Sequence, residues 1–276
     1  VIFFSSCGVP PEQQSGIEWI SLGQKAILDE PKRWKAGLMG LWNFRAARAL
    51  KRLLATLPRE STVIHLHSWS KALSGSVVHA AHQKGYRLVC TLHDYFVVCP
   101  NGGLYDYPTR RICPLEPMSI GCVTRNCDSR ARMHKVWRVV RQLIWRYLAG
   151  IPRNFGKMIT VSRFSAEKIS SLLHGEDIDV VDNLPMLRQQ TLISADQRSA
   201  VVYAGRVSAE KGVDVYLDAC RILAVQAEVL GDGPLLPTLK AAWPGAQFRG
   251  WLSKPDLSKR LSSAKALVVP SLWYEN

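Results

Sequence analysis

The sequence predicts an α/β protein of two domains, each built on a parallel sheet. Three observations carry that expectation. Short β-branched runs alternate with amphipathic patterns of helical period from Thr62 to Val181, and the same rhythm restarts from Val201 to Val269. Between them, Asn183 to Ser194 holds Pro185 and the polar Gln189-Gln190-Thr191 stretch without any periodicity, which places a boundary between residues 1–190 and 191–276. Several strand candidates also run straight into polar residues, and parallel α/β sheets carry their functional groups just beyond strand C-termini.

Composition narrows the partners. A chain of 276 residues that is 47% apolar can bury one large core or two moderate ones, and no uninterrupted apolar run is long enough to span a bilayer. A net charge of +14 calls for an anionic partner: nucleic acid, an acidic membrane surface or a phosphorylated small molecule. Seven cysteines, an odd number, favour reduced thiols in a cytoplasm over a disulfide framework. Both ends read as cut: the chain opens on Val1, and it stops at Tyr274-Glu275-Asn276 directly after the apolar run Ala266 to Pro270.

In chain order, Val1 to Ser5 is a short strand, and Cys7 to Glu30, rich in turn residues, reads as loop. Leu38 to Leu57 keeps apolar residues at helical spacing, with Arg45, Arg48, Lys51 and Arg52 on a basic face, and Pro58 closes it. Thr62 to His67 is a strand, Lys71 to Lys84 a helix ended by Gly85, and Tyr86 to Leu92 a second strand running into His93-Asp94. Strand, helix, strand makes a parallel pair, so His67, His93 and Asp94 are expected on one rim, as catalysts or as satisfied structural groups.

The irregular stretch Cys99 to Cys127 carries Cys99, Cys113, Cys122 and Cys127, separated by thirteen, eight and four residues. Four thiolates can hold zinc, but no C-x2-C knuckle occurs, so free thiols stand beside a metal site as the reading. Ser129 to Ala149 is a helix with an apolar stripe at Met133, Val136, Trp137, Val140, Ile144 and Leu148, surrounded by Arg130, Arg132, Lys135, Arg138, Arg141 and Arg146. Such a helix suits either a packed core face or an anionic lipid surface. Lys157 to Val161 is a strand, a helix begins near Ala166 with Ser162 or Ser165 as N-cap, and Ile178 to Val181 is a strand. Asp177-Ile178-Asp179 opens that strand, the wrong end for a site.

The second domain opens with VVYAGRVSAEKG, Val201 to Gly212: a strand stopped at Gly205, a polar loop holding Arg206 and Lys211, and a helix from Val213 to Ala224. A strand Gln226 to Leu230, the turn Gly231-Asp232-Gly233-Pro234, a helix Leu235 to Ala242 with Pro234 at its start, a strand Gln247 to Arg249, a helix Lys254 to Ser263 and a strand Ala266 to Val269 follow. Arg and Lys just ahead of a helix N-terminus converge favourable terms on one phosphate-sized volume, although the same residues also fit a solvated loop. No G-x4-G-K-[ST] occurs, and no G-x-G-x-x-G follows the first strand, which argues against a P-loop NTPase and a dinucleotide oxidoreductase.

Several ordered motifs carry a resemblance. GRVSAEKGVD (205–214), GDGP (231–234), FRGWLSKPDL (248–257) and VVPSLWYEN (268–276) resemble, in order and spacing, the C-terminal domain of family-four retaining glycosyltransferases; LHDYFVVCPNGGLY (92–105) and VSRFSAEKI (161–169) resemble parts of their N-terminal domain. The resemblance implies the GT-B fold, two Rossmann-like domains facing a cleft with the C-terminal one incomplete, and a nucleoside-diphosphate sugar donor. It implies that Arg206 and Lys211 hold the diphosphate with Gly205 beside them. Glu275 is the first Glu of the family's E-x7-E motif, meeting donor-sugar hydroxyls, and His93 with Asp94 stands beside the donor sugar. Gly250, Trp251 and Asn276 fall on the nucleotide side.

The second Glu of the motif lies beyond Asn276, so the chain as it stands is expected to bind donor poorly. No cofactor and no metal are implied, since side chains and a helix terminus stabilise the leaving diphosphate. The basic helices point to a lipid-linked or polysaccharide acceptor at an anionic membrane surface, on the cytoplasmic inner face of the plasma membrane. A sugar-nucleotide epimerase or phosphorylase of the same fold and a non-catalytic family member are the rival readings. Nucleic acid is not expected, because the aromatics sit in apolar stripes and do not line one basic strand face.

Overall fold

The computed structural model describes residues 1–8, 16–173, 175, 178–184, 198 and 200–275. The chain forms two compact units: Val1–Leu104 with Pro114–Asn183, and Tyr105–Cys113 with Leu184–Glu275. The expected boundary at residue 190 and the site candidate Asn276 lie outside the described residues, as does Asp177.

The first unit is organised on four parallel strands in the order β3 (Val63–His67), β4 (Arg87–Leu92), β7 (Lys157–Thr160) and β8 (Ile178–Val180). Register runs from Val63 opposite Arg87 to His67 opposite Thr91, so β3 and β4 deliver their last residues to the same edge. Leu66, Leu88, Cys90, Leu92 and Met158 are buried, as expected for strands covered on both faces. Helix α3 (Ser76–Gln83) turns Val77, Val78, Ala80 and Ala81 inward, and Gly85, in the left-handed region at φ +74°, ends that segment. Ser162 caps α6 (Arg163–Ser170), its hydroxyl accepting from the Ser165 amide at 3.1 Å.

Three expectations for this unit are corrected. The stretch read as loop after Cys7 contains β2 (Glu18–Ser21), which pairs in parallel with β1 (Ile2–Ser5); Trp19 stacks on Phe3 with ring centroids 4.4 Å apart. Four residues are too few for a period to show. The helix read from Leu38 to Leu57 is two, α1 (Arg33–Leu41) and α2 (Phe44–Leu54), because Asn43 leaves helical geometry to cap α2. The buried Asn43 side chain accepts from the Ala46 amide at 3.0 Å and donates to the Ala72 carbonyl at 2.8 Å.

The third correction concerns α5 (Arg132–Tyr147). Its buried residues are Lys135, Val139, Arg141, Gln142 and Trp145, whereas Met133, Val136, Val140 and Leu148 of the expected apolar stripe are exposed. Polar and aromatic neighbours take the place of water around the two cations. Lys135 Nζ lies 3.4 Å from Cys127 Sγ and 3.6 Å from Cys122 Sγ. The Arg141 guanidinium donates to the Pro100 carbonyl at 3.1 Å and stacks against Phe96, Trp137 and Trp145, 4.4 to 5.0 Å from their ring centroids. Burial pulls the Arg141 pKa down to about 9.

The same contacts bear on the cysteine-rich stretch. Cys99, Cys122 and Cys127 are buried free thiols, with the Lys135 ammonium against two of them. Among the described residues no group of three or more His, Cys, Asp or Glu is arranged to hold a metal.

The second unit has four parallel strands in the order β11 (Gln247–Gly250), β10 (Ala227–Leu230), β9 (Val201–Ala204) and β12 (Ala266–Val268). Helices α7 (Val213–Ile222), α8 (Leu236–Ala242) and α9 (Lys254–Ser262) connect them. Val213, Tyr216, Leu217 and Cys220 of α7 pack on Tyr203, Ala227 and Val229, and Tyr216 ties the layers by donating to the Val201 carbonyl at 2.7 Å. Pro237, and not Pro234, occupies the first turn of α8. A small hairpin, β5 (Tyr105–Asp106) and β6 (Arg111–Ile112), also belongs to this unit.

Candidate functional site

Three turns meet at the C-terminal edge of the second sheet, and backbone hydrogen bonds stitch them together. The Gly205 amide donates to Leu230 O at 2.9 Å, Val207 to Asp232 O at 2.9 Å and Gly231 to Gly250 O at 2.7 Å. Gly231 stands at φ +141°, and a Cβ there would lie 1.9 Å from the Gly205 carbonyl oxygen, so the turns after β9 and β10 can touch only through glycine. Around them opens a cavity of about 390 Å³, lined by Gly205, Arg206, Gly231, Asp232, Trp251 and Leu257 among others. Trp251 is 77% exposed, an apolar ring left open to solvent on the wall of a recess whose lining is mostly apolar, with Arg206 and Asp232 as its charged groups.

The loop after β9 is held from beneath. Tyr203 donates to the Arg206 carbonyl at 2.8 Å, and burial pushes its phenol up to about 12, so it stays a donor. The Arg206 guanidinium pairs with Glu210, whose buried carboxylate also accepts from the Ser208 hydroxyl at 2.7 Å. Gly212 adopts φ +64°, and a Cβ there would come within 2.2 Å of the Pro270 carbonyl oxygen. That close approach lets the segment after β12 lie on the loop, with the Leu272 amide donating to the Glu210 carbonyl at 2.9 Å.

Glu275 ends this segment against Lys211. Nζ lies 2.6 and 2.9 Å from the two carboxylate oxygens, the Trp273 indole donates to one of them at 3.1 Å, and the Ser271 hydroxyl donates to the same atom. Burial works against the Glu275 charge, but the hydrogen bonds from Lys211, Ser271 and Trp273 outweigh it and hold the carboxyl below its usual range. Lys211 Nζ also sits 5.1 Å from the centre of the Trp273 ring. At the start of α7, Asp214 receives a two-pronged contact from Arg110 of the hairpin, at 2.6 and 2.8 Å. That guanidinium lowers the Asp214 carboxyl and occupies it, so the helix terminus keeps its affinity for an outside anion.

In the first unit, His93 follows β4 and its Nε2 stands 3.1 Å from His67 Nδ1, which places both on the expected rim. The His65 ring lies 4.2 Å from that of His67, and its Nε2 is 2.8 Å from the Thr91 hydroxyl. Burial, followed by the neighbouring imidazoles, lowers the pKa of both His65 and His67. Asp94 accepts from the Phe96 amide at 3.0 Å; its burial raises the carboxyl pKa against that hydrogen bond and the pull of Arg141.

The candidates therefore fall into three groups: Gly205, Arg206 and Trp251 around one cavity with Gly250 stitched to its rim, Lys211 with Glu275 in an ion pair, and His93 with Asp94 at the edge of the first sheet. Sequence reasoning passed over Glu210, Asp232 and Trp273. Glu210 had a readable signal, four residues after Arg206 on a tight turn, while Asp232 and Trp273 depend on which turns converge.

Comparison with known proteins agrees with this architecture. Residues 30–184, more than half of the chain, match the model of Glycosyltransferase Family 4. The chain belongs to that family. Residues 198–276 match the model of Glycosyl transferases group 1. A curated relative, alpha-D-kanosaminyltransferase of Streptomyces kanamyceticus, is 32% identical over 91 residues, which are 29% of this chain and 24% of the relative. The crystal structure of TarM is similar at a TM-score of 0.53 and 12% identity, over 84% of this chain and 40% of that one, and shows the same GT-B fold. The pneumococcal O-GlcNAc transferase GtfA, solved with UDP and GlcNAc, is similar at 0.48 and 13% identity, over 82% of this chain and 40% of that one. The chain thus spans well under two thirds of these relatives.

Proposed function

We propose that the protein is a retaining glycosyltransferase that moves a sugar from a nucleoside-diphosphate donor to a lipid-linked or polysaccharide acceptor in cell-surface polysaccharide synthesis. The observation that carries this reading is the cavity at the C-terminal edge of the second sheet, where Arg206, two glycine turns that let the backbone come close and the open Trp251 ring lie together. Trp251 and Gly250 would meet the nucleobase, and Arg206 the diphosphate. Lys211 would complete the charge on the leaving group, held in place by Glu275 until the donor sugar engages that carboxylate. Growing negative charge on the departing diphosphate is what these cations stabilise, and that differential is where rate comes from. His93, braced by His67, and Asp94 act on the donor-sugar side, and the β-phosphate itself receives the acceptor proton.

The acceptor reading rests on the first unit. Helix α5 exposes Met133, Val136, Val140, Leu143 and Tyr147, and α1 with the start of α2 exposes Trp34, Leu38 and Phe44. With a net charge of +14 this suits a shallow seat on anionic lipid at the cytoplasmic face of the plasma membrane, and no described helix is long and apolar enough to cross a membrane. The deciding experiment is a transfer assay across a panel of labelled nucleoside-diphosphate sugars, with the anomeric configuration of the product read by NMR. Transfer with retention is expected from one donor, and Arg206→Ala should lower turnover by about 10²-fold. Epimerised or phosphorolysed donor in place of a glycoside product, or near-normal turnover in the variant, would overturn the reading.

A further inference from the structure

A further cavity lies in the first unit and is not used by the chemistry above. It measures about 580 Å³, large enough for a small organic ligand, and is lined by Val97, Glu116, Gln142, Arg146, Arg153 and Leu172 among others. Val97 also lines the small recess beside His93 and Asp94.

Three properties of the lining point to one kind of occupant. Arg146 and Arg153 are exposed guanidinium groups that form no ion pair among the described residues, so two forks are open to an anion. Gln142, only 4% exposed, spends its amide nitrogen on the Val97 carbonyl at 3.3 Å, while its Oε1 is buried and accepts no hydrogen bond among the described residues. An acceptor buried without a donor costs on the order of 1–3 kcal/mol, and a ligand hydroxyl would relieve that cost. The third property is the mixed wall. Val97, Ile151, Leu172 and Leu173 provide apolar surface, and Glu116 a further acceptor for hydroxyls, while the lining keeps an excess of one positive charge.

We propose that this cavity is a binding site for the phosphate ester of a hydroxylated molecule. The phosphate lies between Arg146 and Arg153, and a hydroxyl donates to Gln142 Oε1. A free polyol phosphate and a phosphoglycerol lipid headgroup share that chemistry. The proposal does not depend on the transfer reaction, because its readout is binding.

The test is isothermal titration of the whole protein with sn-glycerol 3-phosphate, with inorganic phosphate and glycerol as separate titrants, and flotation with phosphatidylglycerol vesicles against phosphatidylcholine vesicles. Glycerol 3-phosphate is expected to bind more tightly than either fragment. Arg146→Gln and Arg153→Gln, both surface changes that spare the fold, should each weaken it tenfold or more. Gln142→Met should erase its advantage over inorganic phosphate. If only vesicles bind, and the two arginine variants lose that binding while Lys240→Gln, the same loss of charge on an exposed position of α8 in the second unit, retains it, the occupant is a lipid headgroup. The proposal is overturned if neither glycerol 3-phosphate nor vesicles bind, or if the arginine variants bind as the parent does.

Discussion

Replacing Lys211 by Ala separates a structural role from a chemical one. The ammonium is 21% exposed and its partner Glu275 is 41% exposed, so solvent screens the pair and its net worth to the fold is modest. After the change Glu275 keeps its hydrogen bonds from Ser271 and Trp273, which leaves no buried charge stranded. The stability cost is then about 1 kcal/mol, a shift of a few degrees in the thermal midpoint. If Lys211 stabilises the departing diphosphate, removing it takes about 3–4 kcal/mol from the transition state, a loss of 10²- to 10³-fold in turnover. Steady-state transfer and a thermal melt on the same preparation read the two quantities side by side. Turnover within threefold of the parent would refute the leaving-group role. A midpoint lowered by more than ten degrees would show that the pair chiefly holds the segment after β12.

Three further outcomes follow from the geometry. Gly231→Ala drives a methyl into the Gly205 carbonyl and should cost about 2–3 kcal/mol while closing the donor cavity, which a melt and a donor titration measure together. Because burial lowers the pKa of His65 and His67 below 6.5, the unfolded chain binds more protons than the native one in the window below that value. Stability should therefore be level above about pH 6.5 and fall as pH drops through the window, and His67→Asn should flatten the slope between pH 6.5 and 5.5 in chemical denaturation. The paired change Val136→Asp and Val140→Asp, on exposed positions of α5, should abolish sedimentation with anionic vesicles and leave the melt unchanged.

Helix α5 shows which part of this fold a sequence can and cannot reveal. The inner strands β4, β7, β9 and β10 were legible because a strand largely buried on both faces needs only a run of apolar residues, and neighbours along the chain decide it. The edge carrying His93 was legible for the same reason: where β4 stops is a local matter, and register with β3 then brings His67 to it. The inward face of α5 was not legible, since hydrophobicity ranks Met133 and Val136 above Lys135 and Arg141. The ranking fails when a distant segment supplies partners. Cys122 and Cys127 receive Lys135, and the Pro100 carbonyl with three aromatic rings receives Arg141, all set by a stretch without periodicity of its own.

The donor-side residues divide along the same line. Arg206 and Lys211 were found by proximity within one loop, but the carboxylates that hold them differ in reach. Glu210 lies four residues from Arg206, whereas Glu275 is 64 residues from Lys211 and arrives only because Gly212 leaves room for the Pro270 carbonyl. Each cation of the proposed diphosphate site is thus positioned before any ligand arrives, one by a partner from its own turn and one by a partner from the end of the chain. A donor would have to draw Lys211 away from Glu275. The carboxylate so released then has two hydrogen-bond donors, Ser271 and Trp273, to keep it ionised and aimed for a sugar hydroxyl.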